Sequence, residues 1–209
     1  MDRLTKLNIF TLLLAVLAAT FTGTAATPTA ADILAKAQKE IKSSQALRGS
    51  FTLAFDGRST AGEILLAGNR FRISTPEMTT WFDGKTQWSL SNAADEVSIS
   101  EPTPDELEQI NPFAIIESLR KEFKGRRIAA TGGTEKIELT PAAGKSNYSK
   151  VVLTLEASTS LPQEIVVTTS DGYVTTITLQ HLEKIKSPAV TEFRFDPKLY
   201  PLADIIDLR

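Results

Sequence analysis

The sequence predicts a mainly β protein of the α+β class: one large antiparallel sheet with helices over one edge or mouth. Three observations point there. Apolar and polar residues alternate with period two in run after run, short turn pairs such as Asp56-Gly57, Gly68-Asn69 and Asp83-Gly84 separate neighbouring runs, and helical spacing is confined to two places. Close neighbours joined by tight turns pair antiparallel.

The elements follow in order. Thr29 is placed to cap a helix running to about Ser44, with Ile33, Leu34, Ala37 and Ile41 on one face against Asp32, Lys36, Lys39 and Glu40. The period then changes to two, with Phe51, Leu53 and Phe55 alternating with Ser50, Thr52 and Ala54 before the Asp56-Gly57 turn. Further strands are predicted at Glu63–Leu66, Arg70–Ser74, Met78–Phe82, Thr86–Leu90 and Glu96–Ser100. Thr103-Pro104-Asp105-Glu106 combines a capping threonine, a proline at the first helical position and a glutamate that closes a capping box. Asn111-Pro112 repeats the device, so Asp105–Ile110 and Phe113–Lys121 read as two short helices joined by a bend. The strand rhythm resumes from Ile128 at Lys136–Leu139, Lys150–Glu156, Glu164–Thr169, Tyr173–His181 and Thr191–Phe195, with turns at Gly132-Gly133, Ala143-Gly144 and Asp171-Gly172. The tail Tyr200–Arg209 reads first as a segment covering a sheet edge, and second as a partner surface.

The amino terminus bears on location. Arg3 and Lys6 precede an apolar run, Ile9 to Leu17, and a small uncharged stretch, Thr20 to Ala26, which is the pattern of a secretory signal peptide cleaved near Ala26. That run is too short to span a bilayer, which takes about 20 residues. Cleavage leaves residues 27–209 as a single expected domain, large enough for a sizeable core. No cysteine is present to carry an acyl anchor or a disulfide, and one histidine without cysteine makes a zinc site a poor expectation. The formal charge is −2 with basic residues dispersed, which argues against a nucleic-acid partner.

Catalytic chemistry finds little footing. The single histidine, His181, lies in a predicted strand, and the chain has no Gly-x-Ser-x-Gly elbow. Asp105, Glu106 and Glu108 are carboxylates suited to the first turns of a helix, where they interact favourably with its dipole. No catalytic residue, metal or cofactor is assigned, and no enzyme activity is expected.

Several motifs in fixed order carry a resemblance. Gly62-Glu63-Ile64-Leu65-Leu66, Arg70-Phe71-Arg72-Ile73 and Trp81-Phe82-Asp83-Gly84-Lys85-Thr86-Gln87-Trp88 resemble the LolA family of periplasmic carriers of outer-membrane lipoproteins. Ser50-Phe51-Thr52 is similar to the family's first strand, Asn111-Pro112-Phe113-Ala114-Ile115-Ile116 to its lid helix, and Gly172-Tyr173-Val174-Thr175-Thr176-Ile177 to a late strand. Phe193-Arg194-Phe195-Asp196-Pro197 followed by Ile205-Ile206-Asp207 is similar to its end.

The resemblance implies an unclosed antiparallel β-barrel, a strongly curved sheet of about eleven strands with a helical lid. It implies a soluble periplasmic carrier, a monomer, that holds the acyl chains of acylated lipoproteins in an apolar interior. Cargo would come from an inner-membrane lipoprotein-releasing transporter and pass to an outer-membrane acceptor. The arginine that locks the lid in proteobacterial members falls by spacing on Gly68, with Arg70 and Arg72 close by and Arg48 a further candidate. The candidate cavity lining is Phe51, Leu53, Phe55, Ile64, Leu66, Phe71, Ile73, Trp81, Trp88 and Leu90, with Phe113, Ile115, Ile116 and Leu119 from the lid. Periodicity alone fits a filled core equally well. A stress-sensing or other envelope lipid-binding module, and a β scaffold for protein partners that binds no lipid, remain alternatives. The energetic demand on a carrier is large: at roughly 0.8 kcal/mol per methylene, an acyl chain of about sixteen carbons represents on the order of 12 kcal/mol against water.

Overall fold

In a computed structural model, the structure describes residues 27–104, 106–107, 111, 116, 123–142 and 146–209. Helix α1 (Ala30–Ser43) begins as the sequence predicts. The Thr29 hydroxyl accepts the Asp32 amide at 3.2 Å and an Asp32 carboxylate oxygen accepts the Thr29 amide at 2.9 Å, which closes a capping box. Ile33, Leu34 and Ala37 turn into the core.

Among the described residues twelve strands follow: β1 (Ala46–Phe55), β2 (Arg58–Ala67), β3 (Arg70–Ser74), β4 (Met78–Phe82), β5 (Gln87–Ser91), β6 (Glu96–Ser100), β7 (Phe123–Ile128), β8 (Thr134–Pro141), β9 (Tyr148–Glu156), β10 (Pro162–Thr169), β11 (Val174–Ile185) and β12 (Asp204–Asp207). They form one curved sheet in the order β12-β6-β5-β4-β3-β2-β1-β11-β10-β9-β8-β7, whose end strands do not pair with each other. The mainly β, unclosed antiparallel architecture is therefore as expected. Every pairing is antiparallel except that of β12, which runs parallel to β6.

Two departures from the sequence reading have physical causes. Strand β7 escapes the alternation because Lys124, Gly125, Arg126 and Arg127 blur its apolar rhythm. Its arginines pair with acidic side chains of β8, Arg126 meeting Glu138 at 2.7 Å and Arg127 meeting Glu135 at 3.8 Å. The predicted strand Thr191–Phe195 is instead a 3₁₀ turn, Val190–Phe193, with local amide bonds from Glu192 to Ala189 O and from Arg194 to Thr191 O. Its alternating phenylalanines anchor a segment lying across the sheet and have no ladder partner.

Side chains alternate between two faces of the sheet. The inner face carries α1 and the main core, and the outer face carries the segment that follows β11. There Phe193, fully buried, packs on Ala46, Leu65 and Ala67, with the Arg70 guanidinium 4.9 Å from its ring centroid. Arg72 pairs with Glu192 at 2.7 Å and Arg194 with Asp83 at 2.8 Å. Phe195 and Tyr200 stack at 5.4 Å and both meet Trp81 edge-on. The segment ends as β12, which covers the edge of β6, the first of the two roles read for Tyr200–Arg209.

The Asp83 side chain is only 9% exposed. Burial opposes its ionisation, but the backbone amides of Thr86 and Lys85 and the Arg194 guanidinium outweigh it and hold the carboxyl below its ordinary value. A depressed native value means this group adds stability at pH above the unfolded-state value of 3.8, lost as pH falls through the lower folded value. Acid titration of unfolding stability is expected to show this loss below pH 3.8 in the parent and a flatter limb in Asp83→Asn.

Candidate functional site

The inner face of the sheet is the largest apolar surface of the fold. Of the ten strand residues expected to line a cavity, Phe51, Ile64, Leu66 and Phe71 are buried in one cluster there, and Leu53 and Ile73 pack against it. Phe55 shares the face by alternation, but at the hairpin end of β1 it is 42% exposed, its ring 5.8 Å from Tyr173. Trp81, Trp88 and Leu90 are a correction. They point to the outer face and pack with Val97, Phe195 and Tyr200 beneath the C-terminal segment. The reason is parity: Phe82 and Thr80, not Trp81, continue the inner row from Phe71 and Ile73.

The expected lining omits the other half of the face. Ile137 and Leu139 of β8, Val151, Leu153 and Leu155 of β9, Ile165 and Val167 of β10, and Ile177 and Leu179 of β11 complete the cluster, several with no exposed surface at all. The signal is present in the sequence, since each stands on the apolar phase of an alternating run.

Phe51 crosses β2 at Gly62, its pairing partner. A Cβ at that glycine would lie 2.5 Å from the tip of the Phe51 ring and from the Ser74 carbonyl oxygen, so only glycine admits the ring there.

The inner face is covered by α1 and, among the described residues between β6 and β7, by Leu107 and Ile116. Ser100 pairs with Gln87 at the end of the sheet where Leu47 begins β1, whereas Phe123 lies at the end where Phe55 finishes it. Strands β6 and β7 therefore end and begin at opposite ends of the sheet. Thr103 and Glu106 form the expected capping box: a Glu106 carboxylate oxygen accepts the Thr103 amide at 2.7 Å and the Thr103 hydroxyl accepts the Glu106 amide at 3.4 Å. Leu107 packs on the inner cluster and Ile116 is 1% exposed within it. Phe113, Ile115 and Leu119 of the expected lid lie outside the described residues.

Gln38 makes a contact at this face that the sequence reading does not single out. It stands between Leu34 and Ile41 on the buried side of α1, and its Nε2 donates to the Ile116 carbonyl at 2.7 Å. A polar residue at an apolar helix position is the available clue. Gln38→Leu strands that carbonyl, a loss of about 1–3 kcal/mol. The expected result is faster hydrogen exchange at Leu107 and Asn111, whose amides bond to Thr103 O and Leu107 O, with exchange in β9 and β10 unchanged.

The family lock does not carry over to the neighbouring arginines. Gly68 sits in the β2–β3 turn at φ +62°, where a side chain is strained. Arg70 and Arg72 face outward and hold the C-terminal segment. Arg48 lines an outer-face hollow of about 220 Å³ with Glu63, Arg72, His181 and Glu183, close to the irregular pairing of β1 and β11.

On the inner face the character changes at β5. Phe71 and Phe82 lie 5.3 Å apart by ring centroid, but Phe82 pairs with Gln87, and Gln87, Ser89, Ser98 and Ser100 continue the face. Among the described residues no group of three metal-ligating side chains converges, and no helix is long and apolar enough to cross a membrane.

With this geometry in hand, comparison with known proteins is specific about family. The family model described as outer membrane lipoprotein carrier protein LolA matches residues 20–171. No curated protein matches the chain significantly. An uncharacterised conserved protein from Thermus thermophilus superimposes with TM-score 0.59 at 11% identity, over 84% of this chain and 96% of that one. MucB superimposes with TM-score 0.50 at 14% identity, over 80% of this chain and 62% of MucB. A LolA superfamily protein from Nitrosomonas europaea gives TM-score 0.42 at 14% identity, over 81% and 99%. At these identities the first two likenesses speak to the fold alone.

Proposed function

The chain belongs to the family of the outer membrane lipoprotein carrier protein LolA, and from that premise we propose that it binds the acyl chains of lipoproteins between the inner face of its sheet and the cover provided by α1, Leu107 and Ile116. The observation that carries this reading is the inner face itself. An apolar surface runs unbroken from β8 through β11, β1, β2 and β3 to Phe82 and is overlaid by α1, Leu107 and Ile116, a cover that can move aside where a second sheet could not. A roof residue such as Ile116 buries little area compared with an acyl chain, so exchanging one for the other favours the bound state.

The carrier works in the periplasm after removal of residues 1–26, with 27–209 as one domain and as a monomer. It receives acylated lipoproteins from an inner-membrane releasing transporter and gives them to an outer-membrane acceptor. Transfer then depends on holding lipid far better than water does and no better than the next partner. Chemistry on the cargo is not part of the proposal.

Native mass spectrometry of the protein purified from its own envelope, before and after delipidation, tests the reading. A bound species with the mass of an acylated lipoprotein or lipid supports it. A bare protein that also takes up no added lipopeptide refutes it and turns attention to protein partners at the free edge of β12.

A further inference from the structure

The inner face is apolar over only part of its width. On β5 it presents Gln87, Ser89 and Ser91, and on β6 Glu96, Ser98 and Ser100. Five of these side chains are half-buried and Glu96 is exposed, so this part of the face is open to polar contacts in a way that the apolar part is not. Three of these six side chains are joined by hydrogen bonds. Gln87 Nε2 donates to Ser89 Oγ at 3.2 Å, Ser89 Oγ lies 3.5 Å from Thr80 Oγ1, and Ser98 Oγ donates to the Ser89 carbonyl at 3.5 Å.

One atom among them, Gln87 Oε1, is shielded from solvent and has no hydrogen-bond partner. Its side chain borders a broad hollow of about 850 Å³ with Ser100, Glu101, Glu106 and Arg209, at the end of the sheet where the 101–122 connection departs. The charged groups of that hollow have partners of their own. Glu101 meets Lys85 at 3.0 Å, Glu106 accepts the Thr103 amide, and Arg209 pairs with Asp207. The unfilled requirement is therefore a single N–H or O–H donor at the boundary between Phe82 and the polar strands.

We propose that this end of the inner face is a headgroup subsite. Gln87 Oε1 accepts an N–H from the polar end of a diacylglyceryl amphiphile whose chains lie over Phe71 and Phe82. The subsite rests on the acyl-binding reading above and names the part of the ligand that orients it. Two sources share this chemistry: the amine or amide of an S-diacylglyceryl cysteine, and the ammonium of phosphatidylethanolamine. Chains enter the apolar part in either case, and the donor fixes which end of the molecule stays toward the hollow.

The test is a binding titration of the delipidated protein with four probes: an S-dipalmitoylglyceryl-cysteinyl peptide with a free amine, dipalmitoyl phosphatidylethanolamine, dipalmitoyl phosphatidylcholine and palmitate. The expected result is a preference of about tenfold for an N–H-bearing diacyl ligand over phosphatidylcholine, the effect of one well-placed hydrogen bond. Gln87→Leu, or Gln87→Met should the leucine variant fold poorly, is expected to erase that preference while leaving phosphatidylcholine binding unchanged. Because the readout is a ratio within one protein, a general loss of stability does not imitate it. The tighter of the two N–H ligands identifies the source. Equal affinity for all diacyl probes in the parent protein, or an equal loss for all of them in the variant, overturns the subsite and leaves the carrier reading standing. Failure of the parent protein to bind any probe removes both.

Discussion

Truncating Phe193 to alanine is expected to destabilise the protein by about 3–5 kcal/mol, the usual loss for a large aromatic removed from a packed site. The ring has no exposed surface, fills the outer-face cluster of Ala46, Leu65 and Ala67, and lies under the Arg70 guanidinium. The ion pairs on either side, Arg72 with Glu192 and Arg194 with Asp83, are partly exposed and cannot hold the segment alone. A thermal unfolding midpoint lower by about 6–20 °C is expected for a domain of this size. Amide exchange at Leu208, which donates to the Ile99 carbonyl, should quicken as β12 loosens from β6. Acyl binding measured below the midpoint is expected to be unchanged, because the ring is on the face away from α1. A variant that kept the parent midpoint would show that the segment is held by something other than this ring.

Phe71→Ala is expected to cost a similar amount, about 3–5 kcal/mol, but with the opposite functional signature. Phe71 is 1% exposed on the inner face, its ring tilted against Phe82, and its removal leaves a void in the surface proposed to hold acyl chains. A ligand that binds only the folded protein raises its unfolding midpoint, and one that also fills a void raises it further. The increment in midpoint produced by a saturating dipalmitoyl lipopeptide is therefore expected to be larger for Phe71→Ala than for the parent or for Phe193→Ala. Equal increments in all three would place the acyl chains elsewhere. Together the two substitutions separate the faces of the sheet: one probes the anchor of the C-terminal segment, the other the surface proposed to meet cargo.

Much of the fold is legible because its signals are local. The Thr29–Asp32 and Thr103–Glu106 capping boxes involve residues three apart, and the Asp56-Gly57, Gly68-Asn69 and Asp83-Gly84 turns follow from backbone conformations that few residue pairs tolerate. The site is less legible because a strand's alternation shows that two faces exist without saying which way each points. Trp81, Trp88 and Leu90 are large apolar residues, which is the reason a sequence reading turns them inward. The outward row nevertheless contains them, because it is also buried, beneath Phe195 and Tyr200, residues more than a hundred positions away. Gln38 escapes notice for the same reason: its partner, the Ile116 carbonyl, lies 78 residues along the chain.

The sequence by itself determined the class of the protein. Period-two alternation, turn pairs and caps are written in neighbouring residues, and the ordered motifs from Gly62 to Trp88 pointed to the family. Only the tertiary structure decided which face of each strand meets which layer: α1 and Ile116 on one side, Phe193 and Phe195 on the other. It also decided that Arg70 and Arg72 secure the C-terminal segment, and that the inner face turns polar at Gln87. The physical reason is that burial is a property of the assembled chain. An apolar side chain lowers the free energy equally well under a helix or under a C-terminal segment, and the choice between them is made by contacts that join distant parts of the sequence.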